Sequence, residues 1–375
     1  MPGEFEYIAW LRAQTPADPR VLIGPGDDCA AIATPARAVL VTTDMLMDGT
    51  DFILSEIGPR RVGRKAMAVN LSDIAAMAGT PTAAVVSVAS PRSESRPTHP
   101  PPSREGESLP SPLAGEGGES SSRERGKVTR VGTRRPSSSL LSAPSPARGE
   151  GKDNPPFPSG RGTGGVDLAA ELYLGLREVA DAFGVALIGG DTNSWNGPLV
   201  ISVTALGEAT ARGPVRRNGA RPGDWLFVTG PLGGSILAHH LDFTPRVREA
   251  LLLHEVVNLR AMLDISDGLA ADLNHLCEES GCGAVLFADA IPVSDAARVL
   301  SLTSGKSPLQ HALGDGEDFE LVFAVSLEDG AKLLASLPIP GLAKIGECVD
   351  AGLWLESAGV RQPLAPAGWV HDLGE

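Results

Sequence analysis

The sequence predicts an α+β protein of two domains, with a low-complexity insertion in the first. Three observations carry this reading. Strand-like and helix-like apolar segments mix without strict βαβ alternation. Residues 92–165 interrupt the pattern with 12 of the 31 prolines and 14 serines. A fresh turn and strand, "RNGARPGDWLFVTG" (Arg217–Gly230), then opens a second unit. The expected domains are 1–213 and 214–375.

In chain order, "RAVLVTTDML" (Arg37–Leu46) reads as a buried strand ending in polar residues. "RRVGRKAMAVNLSDIAAMAG" (Arg60–Gly79) has helical periodicity, with Gly79 as its expected stop. "TAAVVSVAS" is a strand. The segment 92–165 carries 12 Lys/Arg against 8 Asp/Glu and almost no apolar periodicity. It is expected to be disordered, because it cannot bury enough surface to offset its ordering entropy. It falls between a strand and a helix, where a surface loop tolerates an insertion. Its "GRGTGG" (Gly160–Gly165) has dinucleotide-loop spacing but follows no strand. "DLAAELYLGLREVADAFG" is an amphipathic helix, and "VALIGGDTN" and "LVISVTALGEA" are strands. The second unit continues with helical "PRVREALLLHEVV", then "AMLDISDGLAADLNHLCEESG", "GAVLFADAI", "FELVFAVS" and "AKIGECV".

The 375 residues carry a net charge of −14. That balance argues against nucleic acid or an anionic membrane surface as the main partner. No 18-residue apolar run predicts a membrane span. The start "MPGEFEYIAWLRAQ" lacks a basic-then-apolar leader, so a cytoplasmic location is expected. Cys29, Cys277, Cys282 and Cys348 fit no metal-ligand spacing and read as reduced thiols. His99, His239, His240, His254, His275, His311 and His371 lack metal-pair spacing beside acids and read as solvated or structural.

Aspartates recur at strand ends and helix starts. Asp27 and Asp28 lie in "GPGDD", Asp44 ends "VLVTTD", and Asp73 lies in "NLSD". Asp191 ends "LIGGD", and Asp264 and Asp267 lie in "LDISDG". Small or hydroxyl residues adjoin them: Gly26, Thr43, Ser72, Gly190 and Ser266. One such aspartate alone is an ordinary turn former or helix cap, and Asp267 before "GLAADL" fits that role. Their recurrence points to Mg²⁺, which takes oxygen ligands and bridges to substrate phosphates. Glycines allow close backbone approach to those phosphates. The nucleotide scaffold is not a P-loop, since "TSGKS" (Thr303–Ser307) lacks the earlier glycine, and no protein-kinase motif set is present. No Ser-His-Asp or Cys-His arrangement is legible.

Eight stretches together resemble the thiamine-monophosphate kinases of the aminoimidazole-ribonucleotide synthetase-like superfamily: "GEFEYI", "GPGDDCA", "TTDML", "KAMAVNLSDIAAMAG", "LIGGDT", "RNGARPGDWLFVTG", "LDISDGLAADL" and "GDGEDFEL". The resemblance covers nearly all of 3–91 and 166–375 and implies that superfamily's N-terminal and C-terminal domains. It implies Mg²⁺- and ATP-dependent phosphorylation of thiamine phosphate to thiamine diphosphate. By the same resemblance, Asp28, Thr42, Thr43, Asp44, Asp73, Asp191, Asp264 and Asp267 are expected to ligate Mg²⁺. Gly190, Asp191, Arg217 and Ser266 are the implied ATP contacts, and Glu317 the implied substrate acid. Trp369, in "PAGWVHD", resembles the aromatic residue that meets the thiamine portion, although a packing role suits it equally. A homodimer paired through the N-terminal sheets is also implied.

The sequence departs from the family pattern at three places. "DGTDF" replaces G-[VN]-H-F, so Asp51 stands where the family's substrate-side histidine is usual and is the expected substrate contact there. "FTPRVREAL" replaces an arginine-proline signature, and Asp315 stands where glycine is common. An acceptor phosphate is already anionic near neutral pH and needs no general base. Transfer then depends on positioning and charge neutralisation, with Arg217 assisting. The expected reaction is direct in-line transfer without a phospho-enzyme. Two alternatives fit the same residues: another ATP-dependent enzyme of the superfamily, or a nucleotide-binding protein without turnover.

Overall fold

The computed structural model describes residues 21–23, 27–34, 38–92 and 165–369. "GEFEYI", the "GPG" turn, His99, His371 and all but the ends of the proline- and serine-rich segment lie outside them. The disorder expected of that segment therefore falls outside the described residues.

The N-terminal half is built on a six-stranded sheet. Its strands are β1 (Val21–Ile23), β2 (Ala30–Ala33), β3 (Ala38–Met47), β4 (Gly79–Pro91), β5 (Ala186–Trp195) and β6 (Val200–Ala209). They lie in the order β1-β2-β3-β6-β4-β5, antiparallel except for β4 beside β5. Successive side chains on a strand point to opposite faces. On β3 this buries Leu40, Thr42 and Leu46 on one face and exposes Thr43, Met45 and Met47 on the other.

The buried face is covered by α2 (Pro59–Ala76), which follows the short α1 (Leu54–Ile57), and by α3 (Gly165–Phe183). Pro59 opens α2 at a position where its missing N–H costs nothing. The helix is buried almost all round, through Val62, Ala66, Met67, Leu71 and Ile74. Gly63 of α2 faces the Leu172 carbonyl, and Gly175 of α3 faces the Arg60 carbonyl; a Cβ at either would overlap the partner backbone. This reciprocal pair lets two helices approach more closely than side chains allow.

The expected helix stop needs correction. The helix ends at Ala76, and Ala78 rather than glycine takes the left-handed conformation, with φ 50°. Gly79 is instead the first residue of β4, where a Cβ would collide with Leu40 and Ile74. Packing, not helix termination, requires the glycine.

The C-terminal half holds a seven-stranded sheet. Its strands are β7 (Trp225–Val228), β8 (Leu259–Asp264), β9 (Gly283–Phe287), β10 (Leu321–Val325), β11 (Ala343–Val349), β12 (Leu353–Ser357) and β13 (Val360–Pro363). Their order is β13-β12-β9-β11-β7-β10-β8. The helices are α4 (His239–Asp242), α5 (Val247–Val256), α6 (Leu269–Ser280), α7 (Asp295–Ser304), α8 (Pro308–Gly314) and α9 (Leu327–Ser336). The two sheets with mixed helices bear out the α+β expectation.

One stripe of α2 reaches the C-terminal half. Arg61 pairs with Asp242, Lys65 with Glu317, and Ser72 donates to Asp264. Steps of four and seven residues keep these side chains on one helix face.

Candidate active site

Three carboxylates from distant parts of the chain converge where this helix meets both sheets. Asp28 precedes β2, Asp73 lies on the last turns of α2, and Asp264 ends β8. Each offers an oxygen within 4.8 Å of the others. The Asp28 side chain has no exposure, and Asp264 is buried. Thr42, buried on β3, donates to Asp73 Oδ2, and Ser72 donates to Asp264 Oδ2. Arg217 grips Asp28 with two bonds, Nε to Oδ2 at 3.1 Å and Nη2 to Oδ1 at 2.9 Å. Its backbone N–H also donates to Asp27 at 2.7 Å.

The electrostatics describe a site short of positive charge. Burial, then Asp44, Asp264 and Asp28, hold the Asp73 carboxyl well above the usual range. Burial and Asp28 push Asp264 up to about 8. Burial and Asp51 push Asp44 up to about 6. Burial opposes the charge on Arg217, but Asp28 outweighs it and raises its pKa above the ordinary arginine value. One guanidinium does not satisfy the group. The donors are hard oxygens held close together, which suits Mg²⁺ better than a soft metal.

A stability prediction follows from Asp264. Its folded-state pKa of about 8 lies above the ordinary 3.8, so the folded chain binds the proton more tightly. That contribution is fully present below the ordinary value and is lost as pH rises through about 8. Without divalent cation, Tm is therefore expected to fall between pH 5 and pH 8. Excess Mg²⁺ should flatten the fall, because it favours the ionised carboxylates. Calorimetric scans with Mg²⁺ or with chelator measure this; equal slopes in both would remove the metal from the trio.

The other expected residues are placed variously. Thr43 does not meet the three carboxylates through its hydroxyl. Strand alternation turns its hydroxyl to the opposite face from Thr42, where it donates to the Val203 carbonyl and accepts from Thr204. Asp191 is exposed on the edge strand β5, in register with Ser87. Gly190 is accounted for by the sheet itself, since a Cβ there would collide with the Val86 carbonyl. Ser266 accepts the Glu317 N–H through its carbonyl at 2.6 Å. Asp267 and Gly268 both donate backbone N–H groups to buried Asp272, a residue the motif reading did not single out. Trp369 is 58% exposed, tied by its N–H to the Asp267 carbonyl.

The Asp51 carboxylate takes part in the turn it sits on. One oxygen accepts the Met47 N–H at 2.7 Å, closing the turn after β3. A histidine is supplied from elsewhere: His240 on α4, buried, lies 3.1 Å from Glu317. Lys65, with no exposed side-chain surface, bonds Glu317 Oε1 at 2.5 Å and the Asp51 carbonyl at 2.8 Å. Sequence reading set His240 aside as solvated or structural and passed over Lys65. The available signal was weak: Lys65 closes the basic stretch "RRVGRK" and precedes the apolar run "AMAV" of the same helix.

Against known families, the AIR synthase related protein N-terminal domain matches residues 26–103 and 155–209, and the corresponding C-terminal domain matches 221–353. A thiamine-monophosphate kinase from Rhodopirellula baltica is 33% identical over 378 residues, covering 98% of this chain and 97% of that protein. The chain belongs to the thiamine-monophosphate kinase family of the AIR synthase related proteins. Among solved structures, the thiamine-monophosphate kinase from Stenotrophomonas maltophilia K279a is 27% identical with a TM-score of 0.60, covering 95% of this chain and 98% of that one. A structure described as AaThiL complexed with AMPPCP and TMP has a TM-score of 0.69 at 24% identity, covering 99% and 97%. That likeness shows the shared fold. Both AIR synthase related domains are present in this family member, in the expected order.

Proposed function

We propose that this chain transfers the γ-phosphoryl group of ATP to thiamine monophosphate, giving thiamine diphosphate and ADP, with Mg²⁺ held by Asp28, Asp73 and Asp264. The observation that carries the reading is the convergence of three carboxylates within 4.8 Å beside a doubly bonded Arg217. Asp44 lies close enough to raise the Asp73 pKa, and joins the set. Bound Mg²⁺ supplies charge neutralisation between two polyanions. Arg217 sits on the same carboxylate group and offers a fixed cation to the triphosphate. Thr42 and Ser72 hold the carboxylate oxygens in place through their hydroxyls. No side chain is needed to remove a proton from the acceptor, so transfer is direct and in line. Glu317 is read as the acid that meets the thiamine portion, Trp369 as an aromatic neighbour of it, and Gly190, Asp191 and Ser266 as contributors to ATP binding.

Association of two copies through the N-terminal sheets is supported by the sheet face opposite α2 and α3, where, among the described residues, Ile32, Met45, Met47 and Val85 are exposed. No described helix is long and apolar enough to cross a membrane, and all four cysteines are free. Both features suit the cytoplasmic setting we assign.

The test is ADP release with Mg²⁺-ATP, comparing thiamine monophosphate with free thiamine and with aminoimidazole-pathway substrates, with products identified by mass. Thiamine diphosphate should form from the monophosphate alone, from a preparation that sediments at twice the chain mass. Turnover on another acceptor would move the activity to a sister enzyme, and ATP binding without turnover would make the chain a nucleotide-binding protein.

A further inference from the structure

A buried lysine is costly unless it is paired and hydrogen-bonded. Lys65 meets that condition through three groups: Glu317 Oε1 at 2.5 Å, the Asp51 carbonyl at 2.8 Å and His240 Nδ1 at 3.3 Å. The same His240 Nδ1 lies 3.1 Å from Glu317 Oε2. Each carboxylate oxygen of Glu317 is thus held by a different nitrogen. The loop carrying it is also fixed in an unfavoured shape, with φ of 61° at Glu317 and 50° at Phe319. L-residues adopt that region only when their surroundings enforce it. The Glu317 N–H donates to the Ser266 carbonyl and the Phe319 N–H to the Ile265 carbonyl, stitching this loop to the strand end that carries Asp264.

From this geometry we infer that Lys65 and His240 are positioning residues for substrate: they clamp the Glu317 carboxylate so that its remaining lone pairs meet the thiamine portion of the acceptor. The inference rests on the reading of Glu317 as the substrate acid. Lys65 acts from the helix that carries Asp73, and His240 from α4 in the other half. The clamp keeps the carboxylate ionised despite burial: burial raises its pKa, and His240 and Lys65 bring it below the ordinary value. An ionised acid held without freedom to rotate favours a cationic ring over a neutral one.

The experiment is a double-mutant cycle on the full chain, read as KM for thiamine monophosphate, KM for ATP and kcat. Lys65→Met and Glu317→Gln are made singly and together, with His240→Asn as a second entry to the clamp. Each single change should raise KM for thiamine monophosphate about tenfold or more, the scale of a lost charge-assisted hydrogen bond, and leave KM for ATP within about twofold. In the Glu317→Gln background, Lys65→Met should add less than about twofold, because its effect acts through Glu317. Additive effects on KM would overturn the clamp, as would equal rises for both substrates. If Glu317→Gln leaves KM for thiamine monophosphate unchanged, the reading of Glu317 as the substrate acid fails first and takes the inference with it. If Lys65→Met does not fold, the cycle of His240→Asn with Glu317→Gln decides by the same criteria.

Discussion

Asp73→Asn is expected to lower kcat by about a thousandfold or more while leaving Tm unchanged or slightly higher. Two separate physical terms give the two halves of this result. Asparagine keeps an oxygen that accepts the Thr42 hydroxyl, so the local bond on β3 survives. It removes one of three acids held within 4.8 Å of each other. The Asp73 carboxyl is pushed up by burial and by its acidic neighbours, so its charge opposes folding when no cation is bound. Under the proposed function the same charge holds the cation during turnover. Stability and activity therefore move in opposite directions, as is common where a site stores like charges. Steady-state kinetics and thermal scans on one preparation measure both. Retention of more than a tenth of wild-type kcat would remove Asp73 from the metal set.

Arg217→Lys is expected to raise KM for ATP by about a hundredfold, nearly as much as Arg217→Met. A lysine restores the charge but not the fork that places two N–H groups on the two oxygens of Asp28. Methionine should also lower stability, because it leaves an unexposed carboxylate without its partner. The loss should fall short of the 3–5 kcal/mol typical of fully buried pairs, since Arg217 is 27% exposed and water screens part of the interaction. Mg²⁺ should recover part of that loss in Arg217→Met, and should raise the Tm of Asp73→Asn less than it raises that of the wild type. The comparison separates the two residues by what they supply: a fixed cation in one case, a cation-binding carboxylate in the other. Full rescue of the ATP KM by lysine would show that Arg217 acts as a point charge only.

The acidic trio was legible because each member sits in a local context that advertises itself. Asp28 near Gly26 and Asp264 near Ser266 flank strands, and such carboxylates can be read without knowing the fold. Asp73 is marked by the adjacent Ser72 hydroxyl, although it lies on the last turns of a helix rather than at a strand end or helix start. The difference between Thr42 and Thr43 was also within reach, since adjacent strand residues point to opposite faces; motif matching treated them alike. What could not be read was juxtaposition. Lys65, His240 and Glu317 lie on three elements separated by more than a hundred residues of chain in two of the three pairings, and their meeting depends on how the halves dock. Asp51 shows the limit of motif position as a guide: the substrate role expected of it says nothing of the turn that its carboxylate closes by accepting the Met47 N–H.

The stripe on α2 makes that helix a ruler. Lys65 and Ser72 are seven residues apart, which at 1.5 Å per residue is roughly 10 Å along the axis. One mark on this scale fixes the acid Glu317, and the other fixes Asp264 of the carboxylate trio. A single inserted or deleted residue between them would change the length by only about 1.5 Å, but it would rotate one mark by about 100° relative to the other. Under the proposed function, the distance from ring end to phosphate end of the acceptor is gauged by helical phase. That tolerance is set by a backbone locked between two sheets, and no adjustment of side chains alone can restore it.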